Sequence, residues 1–191
     1  MNNRGESLTA SELFINPTYG GNAGQGYDLA LLYFDNPFLS AAPINLYNGT
    51  VANGMDSTIV GYGRLHTLNN STGTSTGDRR AGDNSITEFG VFAPNYANSR
   101  FNNRGGLQMG GTPGDSGGGL FINGELAGIT STSTVGFYGF GQRTAYSLLD
   151  YDWINTTIAS RPPTAVPEPS TILFLLVTGP VFLLRRRRKT A

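Results

Sequence analysis

The sequence has 191 residues, no cysteine and a single histidine, His66; 27 residues are glycine, and 13 basic residues balance 13 acidic ones. Without cysteine there are no disulfides and no thiolate metal ligands, and one histidine cannot build a multi-histidine metal centre. The zero net charge hides an asymmetry: Arg185, Arg186, Arg187, Arg188 and Lys189 leave eight basic residues against thirteen acidic ones in residues 1–184, about −5, which argues against a nucleic-acid-binding body.

Charged residues make up only 14% of the chain, and short runs of Tyr, Phe, Val, Ile and Thr alternate with Gly, Asn and Pro clusters. That texture predicts an all-β fold with many turns. Leu13-Phe14-Ile15 is a short apolar run stopped by Asn16-Pro17, followed by a Gly- and Asn-rich loop from Gly20 to Gly26. Asp28 to Phe34 has a buried-strand pattern, ended by Asp35-Asn36-Pro37. Thr58 to Gly63 reads as a strand, residues 69–83 as a polar loop, and Ser85 to Phe92 as another strand. Asn123-Gly124 separates two apolar runs, Gly119 to Ile122 and Glu125 to Ile129. Both turn residues tolerate positive φ, so a tight hairpin is expected. Leu148, Leu149, Trp153 and Ile154 fall near helical spacing and predict a short helix within residues 144–158.

The chemistry concentrates in Gly114-Asp115-Ser116-Gly117-Gly118-Gly119. A serine hydroxyl becomes a nucleophile when a base takes its proton and backbone N–H groups hold the developing oxyanion. Glycines around it permit a tight turn and close approach of a substrate backbone. On its own, such a hexapeptide is equally well a simple β-turn.

Upstream segments extend the pattern. Tyr27-Asp28-Leu29-Ala30-Leu31-Leu32 resembles the segment carrying the triad aspartate in the chymotrypsin/trypsin family. Gly61-Tyr62-Gly63 resembles that family's Gly-Trp-Gly strand end, and Gly114 to Gly119 its Gly-Asp-Ser-Gly-Gly-Pro loop, with Gly119 in place of proline. Gly128-Ile129-Thr130-Ser131 resembles the strand whose serine supports the aspartate, and Tyr146 to Ile154 the C-terminal helix. The matches run in the family's order, and Asp28 precedes Ser116 by 88 residues, against about 93 in the family template.

The resemblance implies a trypsin-like double antiparallel β-barrel, the first barrel incomplete, with a C-terminal helix. It implies Ser116 as nucleophile, Asp28 as the group orienting the base, Ser131 as the support of Asp28, and the N–H groups of Gly114 and Ser116 as the oxyanion hole. The specificity pocket would have Gly110 at its floor and Ser133 in its wall. No acid stands at Gly110, so small or apolar residues before the cut are expected rather than Arg or Lys. No metal or organic cofactor is implied.

Two features depart from the family. Its base is a histidine about 45 residues before the aspartate; here 27 residues precede Asp28, none a histidine, and His66 is read as a solvated loop residue. Loss of the base predicts an inactive polypeptide, because a triad without one member keeps only residual catalysis, down by about 10⁴–10⁶. Asp115, in the family, pairs with an amino terminus freed by activation cleavage. Without that terminus a buried unpaired carboxylate would cost about 3–5 kcal/mol, so Asp115 has another partner or its loop is disordered.

The end of the chain has a different character. Pro167-Glu168-Pro169 precedes an apolar run from Thr171 to Leu184, closed by the basic cluster. This resembles the PEP-CTERM sorting signal and implies a tail helix, processing by an exosortase, and an exported protein held at the bacterial envelope, at least transiently. The arginines would stay cytoplasmic, and 14 apolar residues interrupted by Gly179-Pro180 fall short of the ~17–25 of a full span. Met1 to Ser11 lacks a signal-peptide pattern, so an upstream start is expected. The expected organisation is a partial protease domain over 1–158, a linker over 159–165 and the sorting anchor over 166–191. The expected function is a serine endopeptidase acting on peptide or protein substrates. The alternatives are a non-catalytic protease-like surface binding protein, or a gene fragment without function.

Overall fold

The computed structural model describes residues 6–67, 70–74, 77–90, 93, 95–102, 107–134 and 140–161, with only the backbone described at 66, 67 and 70–74. One compact unit spans Met1–Thr157. Within it, β1 (Glu12–Ile15) pairs antiparallel with β2 (Ala30–Tyr33), Leu13 opposite Leu32 and Ile15 opposite Ala30. The body is a closed six-stranded barrel. Its strands are β3 (Asp56–Gly61), β6 (Arg80–Phe89), β7 (Tyr96–Arg100), β8 (Gly119–Ile122), β9 (Glu125–Ser133) and β10 (Arg143–Leu148), paired in the order β10-β7-β6-β3-β8-β9. A hairpin of β4 (Leu65–Thr67) and β5 (Asn70–Thr74) stands apart. The all-β reading, with one full barrel and a fragmentary first one, describes this architecture.

Alternation builds the barrel. On β3, Ser57, Ile59 and Gly61 are buried while Asp56 is exposed, and on β8 Leu120 and Ile122 point inward. Side chains of opposite parity leave a strand on opposite faces, so Ile59, Leu120 and Ile122 meet Ile86, Ala97, Ala127 and Tyr146 in one core. The β8–β9 turn is the predicted one, with Asn123 at φ 52 and Gly124 at φ 80, as a two-residue hairpin loop with both central residues at positive φ requires.

Several boundaries differ from expectation. Residues 144–148 are not the start of the helix but belong to β10, which closes the barrel between β7 and β9. Long-range pairing overrides the local spacing of Leu148, Leu149, Trp153 and Ile154. The helix α1 runs from Tyr151 to Ala159, with Asp150 as its cap: its carboxylate accepts from Trp153 N–H at 3.1 Å and its carbonyl from Ile154 N–H at 2.9 Å. The expected polar loop over 69–83 instead contributes β5 and the start of β6. Its Thr-rich part suits extended pairing, and His66 lies on β4 rather than in a loop. The buried-strand expectation for Asp28 to Phe34 fails on one face: Leu32 is 57% exposed, because the two-stranded sheet packs only one side. The expected tail helix and Pro167, Glu168 and Pro169 lie outside the described residues. Among the described residues no helix is long and apolar enough to cross a membrane.

Candidate active site

Ser116 sits in the loop between Thr112 and β8, and Ser131 on β9 stands beside it. The loop is stapled to β9 by two backbone bonds, Gly117 N–H to Thr130 C=O at 2.9 Å and Thr130 N–H to Gly118 C=O at 2.8 Å. The Ser116 hydroxyl is exposed and lies 3.5 Å from the Ser131 carbonyl. From the other direction the Ser131 hydroxyl donates to Asp28 Oδ2 at 2.6 Å. Ser131 therefore touches both groups, although it is 103 residues from Asp28 and 15 from Ser116.

Local backbone aims Asp28. Tyr27 adopts φ 56, a left-handed conformation that costs a non-glycine residue about 1 kcal/mol or more. The Tyr27 N–H donates to the Asn95 side-chain carbonyl at 3.0 Å, and its own carbonyl accepts from Leu29 N–H at 2.7 Å. The chain turns sharply there, Leu29 enters the buried layer, and Asp28 is left facing Ser131.

Tyr96 joins the same cluster. Its hydroxyl lies 2.7 Å from the Ser131 hydroxyl and also contacts the Ala23 carbonyl in the loop before Asp28. Burial pushes the Tyr96 phenol above its ordinary range; the hydrogen bond with Ser131 opposes this and the Asp28 charge adds to it. Nothing in the sequence around Tyr96 signals this contact, which is made 35 residues away across strands of the barrel.

In the loop itself, Gly114 has φ 99, open to glycine and strained for any other residue. The N–H groups of Gly114 and Ser116 carry no hydrogen bond among the described residues. Asp115 is 4% exposed and is not left unpaired: it accepts from Gly63 N–H at 2.7 Å, Thr112 N–H at 2.8 Å and the Thr112 hydroxyl at 3.0 Å. Of the two expected outcomes for Asp115, the one with another partner is the one seen.

The model of the trypsin domain matches residues 1–150. The chain belongs to the trypsin family. The model of the PEP-CTERM protein-sorting motif matches residues 165–189, so the protein carries an export signal for the cell envelope. Among solved structures, a mutant of human heparin binding protein is similar in fold, with TM-score 0.63 and 24% identity, covering 84% of this chain and 72% of that one. No curated protein matches the sequence significantly.

Within this trypsin-family domain, a recess of about 90 Å³ opens at Ser116, lined by Gly111 to Pro113 and Thr130 to Ser133. Ser133 is thus in its wall. Gly110 is not in the lining; a Cβ there would stand 3.1 Å from Gln142 Oε1. Gln142 is 5% exposed and its amide donates to the Gly111 carbonyl at 2.6 Å, while Gly111 N–H donates to the Thr144 hydroxyl at 2.7 Å. These bonds brace the wall from within the barrel. A second hollow of about 360 Å³ shares Thr132 and Ser133 and reaches Tyr96, Asn98 and Arg143.

Proposed function

We propose that this trypsin-family chain is the Ser116-bearing portion of an exported serine endopeptidase that works through an acyl-enzyme. The observation that carries the reading is Ser131, which contacts the Ser116 hydroxyl through its carbonyl and Asp28 through its hydroxyl. Ser116 is the nucleophile. Asp28 orients and stabilises the protonated base, and the free N–H groups of Gly114 and Ser116 receive the oxyanion. Substrates are peptides or proteins. The 90 Å³ recess is well below the about 150 Å³ that accommodates a benzene ring, which favours a small side chain before the cut. Ser133 in its wall and Gly110 next to the lining residue Gly111 are the specificity residues of this reading.

These 191 residues carry no histidine other than His66, and the base is the missing member of the set. A fluorophosphonate reagent is expected to leave Ser116 unmodified in this polypeptide. The product of the reading frame extended upstream of Met1 to include a histidine is expected to label at Ser116, and the Ser116→Ala variant of that product is not. An extended product that folds, contains the histidine and still resists labelling removes the hydrolase reading. It favours instead a protease-like surface protein that binds without cutting, the reading to which the single histidine lends weight. The domain limits proposed are 1–158 for the protease part, 159–165 for the linker and 166–191 for the anchor. The sorting motif around Pro167, Glu168 and Pro169 supports processing by an exosortase. The apolar run followed by arginines supports transient membrane anchoring with the protease part outside.

A further inference from the structure

Two neighbouring residues where β7 begins grip both ends of the loop that leads to Asp28. Asn95 takes the far end. Its side-chain carbonyl accepts from Tyr27 N–H at 3.0 Å, its amide donates to the Ser147 hydroxyl at 3.4 Å, and its backbone carbonyl accepts from Leu148 N–H at 2.9 Å. Gly26 leaves room for this contact, since a Cβ there would stand 2.4 Å from Asn95 Oδ1. Tyr96 takes the near end, through the Ala23 carbonyl.

The Tyr96 side chain is fully buried and packs with Ala93 and Ala145, apart from the main core, so its hydroxyl has a fixed place. Proton counting sets the direction of each bond around it. The Ser131 hydroxyl has one proton and donates it to Asp28 Oδ2 at 2.6 Å. Towards Tyr96, 2.7 Å away, Ser131 Oγ is therefore an acceptor. The Ala23 carbonyl can only accept as well. The phenol is thus the donor in both contacts, and burial, which raises it above its ordinary range, keeps its proton in place at neutral pH. The result is a one-way chain from Tyr96 to Ser131 to Asp28, in which each bond polarises the next. A phenylalanine would fill the same space and supply no proton, and Ser131 would be free to turn its own proton away from Asp28.

We infer that Tyr96 is a positioning residue for the reaction: its phenol proton, shared between Ser131 Oγ and the Ala23 carbonyl, commits the Ser131 hydroxyl to Asp28 and fixes the loop leading to Asp28 against the barrel. Its part in the reaction rests on the protease reading; its hold on Asp28 does not.

NMR on the full chain tests this. In the parent, the Tyr96 hydroxyl proton is expected to exchange with water slowly enough to give its own resonance at low temperature; a hydroxyl in fast exchange overturns the inference. Tyr96→Phe is expected to speed amide exchange at Gly26, Tyr27 and Leu29 about three- to tenfold, the scale of one lost hydrogen bond, with Ile59 in the barrel core unchanged. It is also expected to move the Asp28 carboxylate carbon in the same direction as Ser131→Ala does. In a Ser131→Ala chain, Tyr96→Phe is expected to move that carbon no further, because the path is already cut. An equal shift with and without the Ser131 hydroxyl overturns the inference, since loosened packing alone would produce it. So does a Tyr96→Phe chain indistinguishable from the parent, or one in which Ile59 exchanges faster by the same factor as the loop. In the upstream-extended product, Tyr96→Phe is expected to slow fluorophosphonate labelling of Ser116 about three- to tenfold, and an unchanged rate overturns the role in the reaction. An extended product that never labels removes the hydrolase reading, while the loop exchange rates and the Asp28 carbon stay where they are.

Discussion

The six-stranded barrel and the β1–β2 sheet are built from similar apolar runs and end in opposite states. In the barrel every strand has two neighbours, and Ile59, Leu120 and Ile122 are at most 1% exposed. In the sheet, Leu13, Ile15 and Leu32 share one face and are 59%, 56% and 57% exposed. The difference shows where each half of the site draws its order. Ser131 belongs to the closed barrel, and the loop carrying Ser116 and Asp115 is bonded to it through Thr130. Asp28 lies just ahead of an edge strand, and a two-stranded sheet alone is marginal in water. Its position depends on contacts to the barrel side: Ser131 to the carboxylate, Asn95 to Tyr27, and Asn16 to Asp150 at the cap of α1.

Core truncation gives the widest separation of the two regions. Leu120→Ala is expected to cost about 2–5 kcal/mol in urea unfolding, against within about 0.5 kcal/mol for Leu32→Ala. Equal losses would erase the distinction. Next in size is the strap between the regions. Asn16 is 1% exposed and donates to Asp150 at 2.9 Å, a bond to a charged group worth about 1.5–3 kcal/mol. Asn16→Ala is expected to speed amide exchange at Leu29 and along β1 while leaving the Ile59 amide unchanged. Matching changes at Ile59 would mean that sheet and barrel open as one.

The smallest effect sharpens the comparison from the barrel side. Burial is the main cause that raises the Tyr146 phenol above its ordinary range, with hydrogen bonds to Ser99 and Thr144 opposing it. The folded protein then holds this proton to higher pH than the unfolded chain, where tyrosine titrates near about 10. This contribution to stability is intact below that pH and is lost as pH rises through the folded value. The slope is at most about 1.4 kcal/mol per pH unit for each such group. Urea midpoints measured from pH 8 upward are expected to stay level to about pH 10 and then fall. A decline that begins well below pH 10 would point to another group.

Some of this organisation is written locally. Asn123-Gly124 announces its hairpin because a two-residue turn demands positive φ there, and the flanking runs alternate as strands must. Gly114 to Gly119 is on its own as good a β-turn as a catalytic loop, and it stands out only with the order of Asp28, Ser116 and Ser131, which follows the family's pattern. Other features are silent in one dimension. Residues 144–148 share their apolar spacing with the helix that follows, yet become the strand that closes the barrel. Tyr96 sits in an ordinary strand sequence, and Thr112 in an ordinary loop.

By itself, then, the sequence determined the β character, the turn chemistry, the Gly-rich loop around Ser116 and the export tail, because those depend on residues adjacent in the chain. Only the tertiary structure decided that Asp115 is satisfied by neutral donors, that Tyr96 reaches Ser131, and that one face of the β1–β2 sheet stays exposed. Each of these is set by which strands become neighbours. That choice minimises exposed apolar surface and unmet hydrogen bonds over the whole fold, a sum no local window contains.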